Sequence, residues 1–291
     1  MDAVVDLVEL EKPGISNKVE AGLIIGLIAS MFAGLGFLIS GFQTVHWGVV
    51  IGVAFVSVFF FRGPLAVLRR YRVKELDDAK YPGVRGCVAR LSERAGLEAI
   101  PDVKMTTRDE CDVFSVQTPN KATIVVGTAV LDYLEERLLE GVLAHEISHI
   151  KNRDTAVMGI ADVLVRMTRT MSHLGLVLLL MGGVLELLWD SEMPWGFVST
   201  LIFAPFVAKG LLALLGRARE LRADRDAAKL TGDPMALAEA LVEFDDKARP
   251  NKKRGILRAL NPYGIAPAPS DIRNHPATEV RVSRLEKLAE A

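Results

Sequence analysis

Two kinds of hydrophobic pattern alternate along the chain. From Ala21 to Phe61 no Asp, Glu, Lys or Arg occurs, a run long enough for two membrane spans of about 20 residues each. Gly41, Gln43, Thr44 and His46 interrupt it near its middle, where a turn is needed. The run predicts a helical hairpin, Ala21–Ser40 and Val45–Phe61, with a short polar tip. A second apolar pair, Met171–Trp189 and Trp195–Gly216, is parted by Asp190, Ser191, Glu192, Met193 and Pro194. Trp189 and Trp195 bracket that loop, as aromatic residues do at a membrane–water interface. Glu186 and Lys209 interrupt the pair within about two turns of an end, close enough for their charged heads to snorkel to water.

The remaining stretches mix charged and apolar positions, as a globular domain does. Tyr81–Gly96 reads as an amphipathic helix, with Val84, Val88, Leu91 and Ala95 at helical spacing and Gly96 as its stop. Three short strands are expected at Asp102–Thr106, Asp112–Gln117 and Thr123–Gly127. Thr128–Arg153 predicts one helix, because Leu131, Leu134, Leu138, Val142, His145 and His149 advance in steps of three or four. Asp233–Lys247 is a further helix with Asp233 as its cap and Pro234 in its first position. Lys252–Pro269 reads as a loop, and Pro276–Ala291 as a closing helix. The organisation is then a segment 1–20, a hairpin 21–61, a first domain part 62–170, a hairpin 171–216 and a second domain part 217–291.

Charge sets the orientation. Arg62, Arg69, Arg70, Arg72 and Lys74 follow the first hairpin, Arg166 and Arg169 precede the second, and Arg217 and Arg219 follow it. Neither tip carries Lys or Arg, so the positive-inside rule puts both tips outside and both termini and the domain in the cytoplasm. The net charge of -1 and the lack of an Arg/Lys stripe interleaved with aromatics argue against a nucleic-acid partner. Two cysteines, Cys87 and Cys111, make neither a disulfide framework nor a Cys-rich metal site, and read as reduced thiols.

Residues 145–149 read His-Glu-Ile-Ser-His, in a chain with five histidines. On a helix, His145 and His149 share one face and can point two imidazoles at one zinc ion. Glu146 lies next to that face, where its carboxylate can take a proton from a zinc-activated water attacking a peptide carbonyl and pass it to the leaving amine. A catalytic zinc needs a third protein ligand. Glu220 and Asp224 share a helix face in Arg217-Ala-Arg-Glu-Leu-Arg-Ala-Asp224. Glu220 can ligate and Asp224 can fix an imidazole, or both can belong to an exposed ion-pair face with the neighbouring arginines; spacing leaves the two readings open. His46 and His173 read as residues of the membrane boundary.

These motifs resemble the M48 metallopeptidases, and within them the HtpX-type membrane proteases, from the first hairpin to the C-terminus. The family has Ser-Arg-x-x-Glu-x-x-Ala-Asp after its fourth apolar segment; here Gly216 to Asp224 departs only at the first position. The resemblance implies Glu220 as third ligand and Asp224 as its support. It also matches Val142–Asp154 and the pair His275-Pro276, whose histidine would help bind substrate or stabilise the oxyanion; from the residues alone, Pro276 simply starts a helix. Where the family often has Asn-Ala-Phe before its substrate-holding strand, this chain has Asp112-Val113-Phe114.

The reading is an α+β, zincin-like (gluzincin) metalloprotease domain with about four transmembrane helices in two hairpins, one zinc ion per chain, and the catalytic domain on the cytoplasmic side of the cell (inner) membrane. The resemblance implies misfolded membrane proteins as substrates, a role in quality control, and self-cleavage in detergent with zinc. An intramembrane protease is disfavoured by Asp132, Glu135, Glu136, Arg137, Glu140, Lys151, Arg153 and Asp154 around the motif, which would be costly in lipid. A prenyl-protein endoprotease would resemble longer chains with more spans. The alternative outside enzymology is a membrane scaffold with a structural zinc site.

Overall fold

The computed structural model describes residues 17–40, 46–47, 49–50, 52–54, 68–69, 71–107, 113–118, 121–189, 195–248 and 276–290. The chain divides into two units, Met1–Phe59 and Phe60–Ala291. In the first, α1 spans Asn17–Ser40 and so takes Asn17, Lys18 and Glu20 into its first turn, ahead of the apolar run. Residues 46–47, 49–50 and 52–54 are helical as well. A side chain added at Gly52 would lie 3.0 Å from the Phe32 ring, so the helical stretches pack closely there.

The second unit is built on a four-stranded sheet: β1 (Lys74–Glu75), β2 (Asp102–Thr106), β3 (Val113–Gln117) and β4 (Ala122–Gly127), in the order β1-β2-β4-β3. β2 and β4 run parallel, and β1 and β3 pair antiparallel at the two edges. β4 is central and buried from Thr123 to Gly127, which is why it reads as an uninterrupted β-branched run. Val103, Ile124 and Val126 pack with Val88 and Leu91 of α2 (Val84–Ala95) and with Leu143 and Ile147 beyond. α2 begins later than the periodicity predicts. Tyr81 donates its hydroxyl to Asp132 at 2.7 Å, and Gly83 sits at φ 92, a left-handed conformation that closes the approach and lets the helix start at Val84.

The single helix expected over Thr128–Arg153 is two. α3 covers Thr128–Tyr133 and α4 covers Glu136–Lys151, with Leu134 and Glu135 extended between them. The break turns Leu134 into the core and leaves Glu136 in the first turn of α4, where a carboxylate suits the helix dipole. Periodicity misses it because Leu131, Leu134 and Leu138 keep helical spacing across the gap.

The second apolar pair belongs to longer helices. α5 runs Asp154–Trp189 and α6 runs Trp195–Thr231, so each continues from its apolar part into the polar domain. Among the described residues α6 is the helix long and apolar enough to cross a membrane. The two lie side by side on small residues: Ser172 donates to the Ile202 carbonyl at 3.1 Å, and a side chain at Gly175 would meet Leu201 at 3.0 Å. The Trp195 ring covers Gly182, and its indole N–H donates to Glu186 at 3.1 Å.

α7 (Pro234–Ala248) is capped by Asp233, whose Oδ1 accepts from the Ala236 N–H at 3.1 Å. It lies so close to α4 that a side chain at Gly141 would come within 2.8 Å of the Leu237 nitrogen. α8 (Thr278–Ala289) closes the unit, with Leu285 fully buried. The expected loop Lys252–Pro269 lies outside the described residues.

Candidate metal centre

Three helices and one helix start meet at the centre. α4 carries His145, Glu146 and His149, α6 carries Glu220 and Asp224, α5 opens with Asp154, and α8 brings Arg281. All these side chains are buried or nearly so. α4 can bury a polar face because its polar groups are partnered: the Ser148 hydroxyl bonds back to the Ala144 carbonyl at 2.8 Å.

His145, His149 and Glu220 converge. The two Nε2 atoms are 3.1 Å apart, with the rings nearly perpendicular. Glu220 offers one oxygen to each, Oε2 at 3.5 Å from His145 Nε2 and Oε1 at 3.4 Å from His149 Nε2. A tetrahedral ion bound at about 2.0–2.1 Å sets its ligand atoms about 3.3 Å apart, so these three side chains are close enough together to hold one divalent cation. The described residues contain this group of ligands as a candidate metal site.

The outer ring nitrogens are held by carboxylates. His149 Nδ1 lies 3.0 Å from Asp154 Oδ2, and His145 Nδ1 lies 3.0 Å from Asp224 Oδ1. The second contact runs off the N–H axis and is chiefly electrostatic. Arg281 grips Asp224 with two parallel bonds, Nε to Oδ2 at 2.8 Å and Nη2 to Oδ1 at 2.6 Å, and places Nη1 3.4 Å from Glu220. Arg219 donates to Asp154 Oδ1 at 2.5 Å, with Arg222 at 3.3 Å.

Electrostatics favour positive charge between the rings. Burial opposes a charged imidazole, yet Asp224 and Glu220 raise His145 above the ordinary histidine range, and Asp154 and Glu220 raise His149 to about 10. A divalent cation would supply that charge in place of the ring protons. Burial pushes the Asp224 carboxyl up, but Arg281 and His145 outweigh it and hold it below the usual range. Glu146 is buried one residue after His145, and its charge is felt at both His149 and Arg281.

Of the residues singled out in the sequence, His145, His149 and Glu220 come together, Asp224 stands against His145, and Glu146 adjoins them. His275 lies outside the described residues. Asp154 and Arg281 carry no signal in spacing: Asp154 starts a new helix after Arg153 breaks the old one at φ 55, and Arg281 arrives from the far end of the chain.

The model of peptidase family M48 matches residues 79–289. The chain is 31% identical to a protease HtpX homolog of Acidiphilium cryptum, over 94% of this chain and 97% of that one. It is 30% identical to a protease HtpX homolog of Pyrococcus furiosus, over 95% and 97%. Its fold is similar to that in the crystal structure of S. mikatae Ste24p, with a TM-score of 0.53 at 18% identity; the match covers 91% of this chain and spans 62% of that one. The family's model covers the chain from before α2 to the end of α8, residues 79–289, so the chain belongs to peptidase family M48 and is a metalloprotease.

Proposed function

We propose that the chain is a membrane-anchored zinc endopeptidase in which Glu146 moves the proton. The observation that carries this reading is the set of ligand separations among His145, His149 and Glu220, which fits tetrahedral zinc, beside a buried carboxylate on the same helical turn. Three protein ligands leave one position for chemistry, whereas structural zinc sites close with four. When bound, zinc supplies Lewis acidity to the scissile carbonyl and lowers the pKa of water. Glu146 accepts the proton of the attacking water and delivers it to the departing amine nitrogen. Asp224 steadies the His145 ring. His275 assists substrate or oxyanion binding. β3, at the sheet edge, begins at Val113 and offers backbone groups to an extended peptide.

Four spans, Ala21–Ser40, Val45–Phe61, Met171–Trp189 and Trp195–Gly216, anchor the domain on the cytoplasmic side of the cell (inner) membrane. The basic residues flanking them support that orientation. The likeness to protease HtpX homologs supports misfolded membrane proteins as substrates and a role in quality control.

The test is casein hydrolysis and self-cleavage by the detergent-purified protein beside Glu146→Gln, with zinc counted in both. The expected result is full zinc in both and a loss of about 10²–10⁴-fold in rate for the variant. One zinc in each with no cleavage by either would favour a structural-zinc scaffold. No zinc in wild type would overturn the reading.

A further inference from the structure

Asp154 is 2% exposed, and its two oxygens serve two different helices. Oδ2 lies 3.0 Å from Nδ1 of His149 on α4. Oδ1 accepts from Arg219 of α6 at 2.5 Å, and Arg219 directly precedes Glu220 and is itself 3% exposed. A carboxylate on Nδ1 fixes the ring proton there, turns the Nε2 lone pair toward Glu220, and raises the basicity of that nitrogen. The other oxygen holds the turn of α6 from which Glu220 projects. From these contacts we infer that Asp154 is a positioning residue for the metal centre, setting the tautomer of His149 and the rotation of α6 at Glu220 together. Asp224 faces only the first imidazole, so the second depends on Asp154. The inference rests on the reading of His145, His149 and Glu220 as a zinc site.

The test measures zinc affinity by competition with a chelator, on the full detergent-purified chain, for wild type, Asp154→Asn and the double variant Asp154→Asn/Arg219→Met. The single variant removes a charged partner of the buried Arg219 and can lose its fold for that reason. The double variant removes that charge, and the melting curve of the zinc-free protein reports whether its fold is kept. The expected result is a folded double variant with zinc affinity lowered by about 10–100-fold. Its cobalt-loaded form should also show a d–d absorption spectrum shifted from that of wild type. A double variant with the affinity and cobalt spectrum of wild type would reduce Asp154 to a charge partner for Arg219 and overturn the inference. A double variant that does not fold would overturn it too, since Asp154 would then be needed by the fold with or without a metal. Failure of wild type to bind zinc would instead overturn the underlying reading.

Discussion

At the scale of single residues, the centre depends on charges removed from water. Arg281 is buried with two bonds to Asp224. Removing one member of such a pair leaves the other charged and unsatisfied, so Arg281→Met should lower stability by about 3–5 kcal/mol, read from thermal or denaturant unfolding. Replacing both Arg281 and Asp224 by apolar residues should recover much of that loss while still impairing metal binding. Cys87 behaves differently. Burial, with Glu140 next, pushes its thiol up to about 11. In a Cys111→Ser background, alkylation by iodoacetamide at pH 8 should be far slower than for a free thiol, rising only as the pH nears 11. The sign for stability follows: the contribution is complete below the ordinary cysteine range and is lost as pH climbs through the raised value. Reactivity at pH 8 equal to that of a model thiol would contradict the half-buried setting. His145 with His149 and Glu220 with Asp224 were legible as candidates because each pair sits at helical spacing, and Glu146 because it directly follows His145. Asp154 and Arg281 were not, because their partners lie on other helices and only packing brings them near.

At the scale of elements, the approach of α7 to α4 is set by Gly141. Alanine there would gain about 1 kcal/mol of helix propensity. It would also force backbone apart at 2.8 Å, and overpacking of this kind costs typically about 1–3 kcal/mol. Gly141→Ala should therefore lower the melting temperature and, by tilting α4, weaken metal binding. An unchanged or raised melting temperature would show that α7 yields freely. The sheet was legible because β4 is a continuous β-branched run and β2 is bounded by clear breaks. The split between α3 and α4 was hidden, since an apolar period of three or four survives two extended residues. The start of α2 was hidden by Gly83, whose left-handed backbone leaves no mark on the spacing of Val84, Val88 and Leu91.

At the scale of the molecule, the proposed metal ties α4 to α6, two helices already packed against each other. Stripping it with a chelator should lower the melting temperature, and zinc at about 1,000 times its dissociation constant should stabilise the protein by about 4 kcal/mol. A melting temperature indifferent to zinc would mean that the ion does not join the helices. The apolar runs announce the length of α5 and α6 poorly, because hydropathy stops where charge begins and a helix need not. That continuity constrains how the gene can change. Trp195 and Glu220 stand on one uninterrupted helix, Trp195 fixed over Gly182 and Glu220 facing two imidazoles. One codon inserted between them would turn everything beyond it by about 100° and carry Glu220 away from both rings. The greasy segment, where almost any apolar residue would serve the bilayer, is thus free in its spelling and fixed in its letter count.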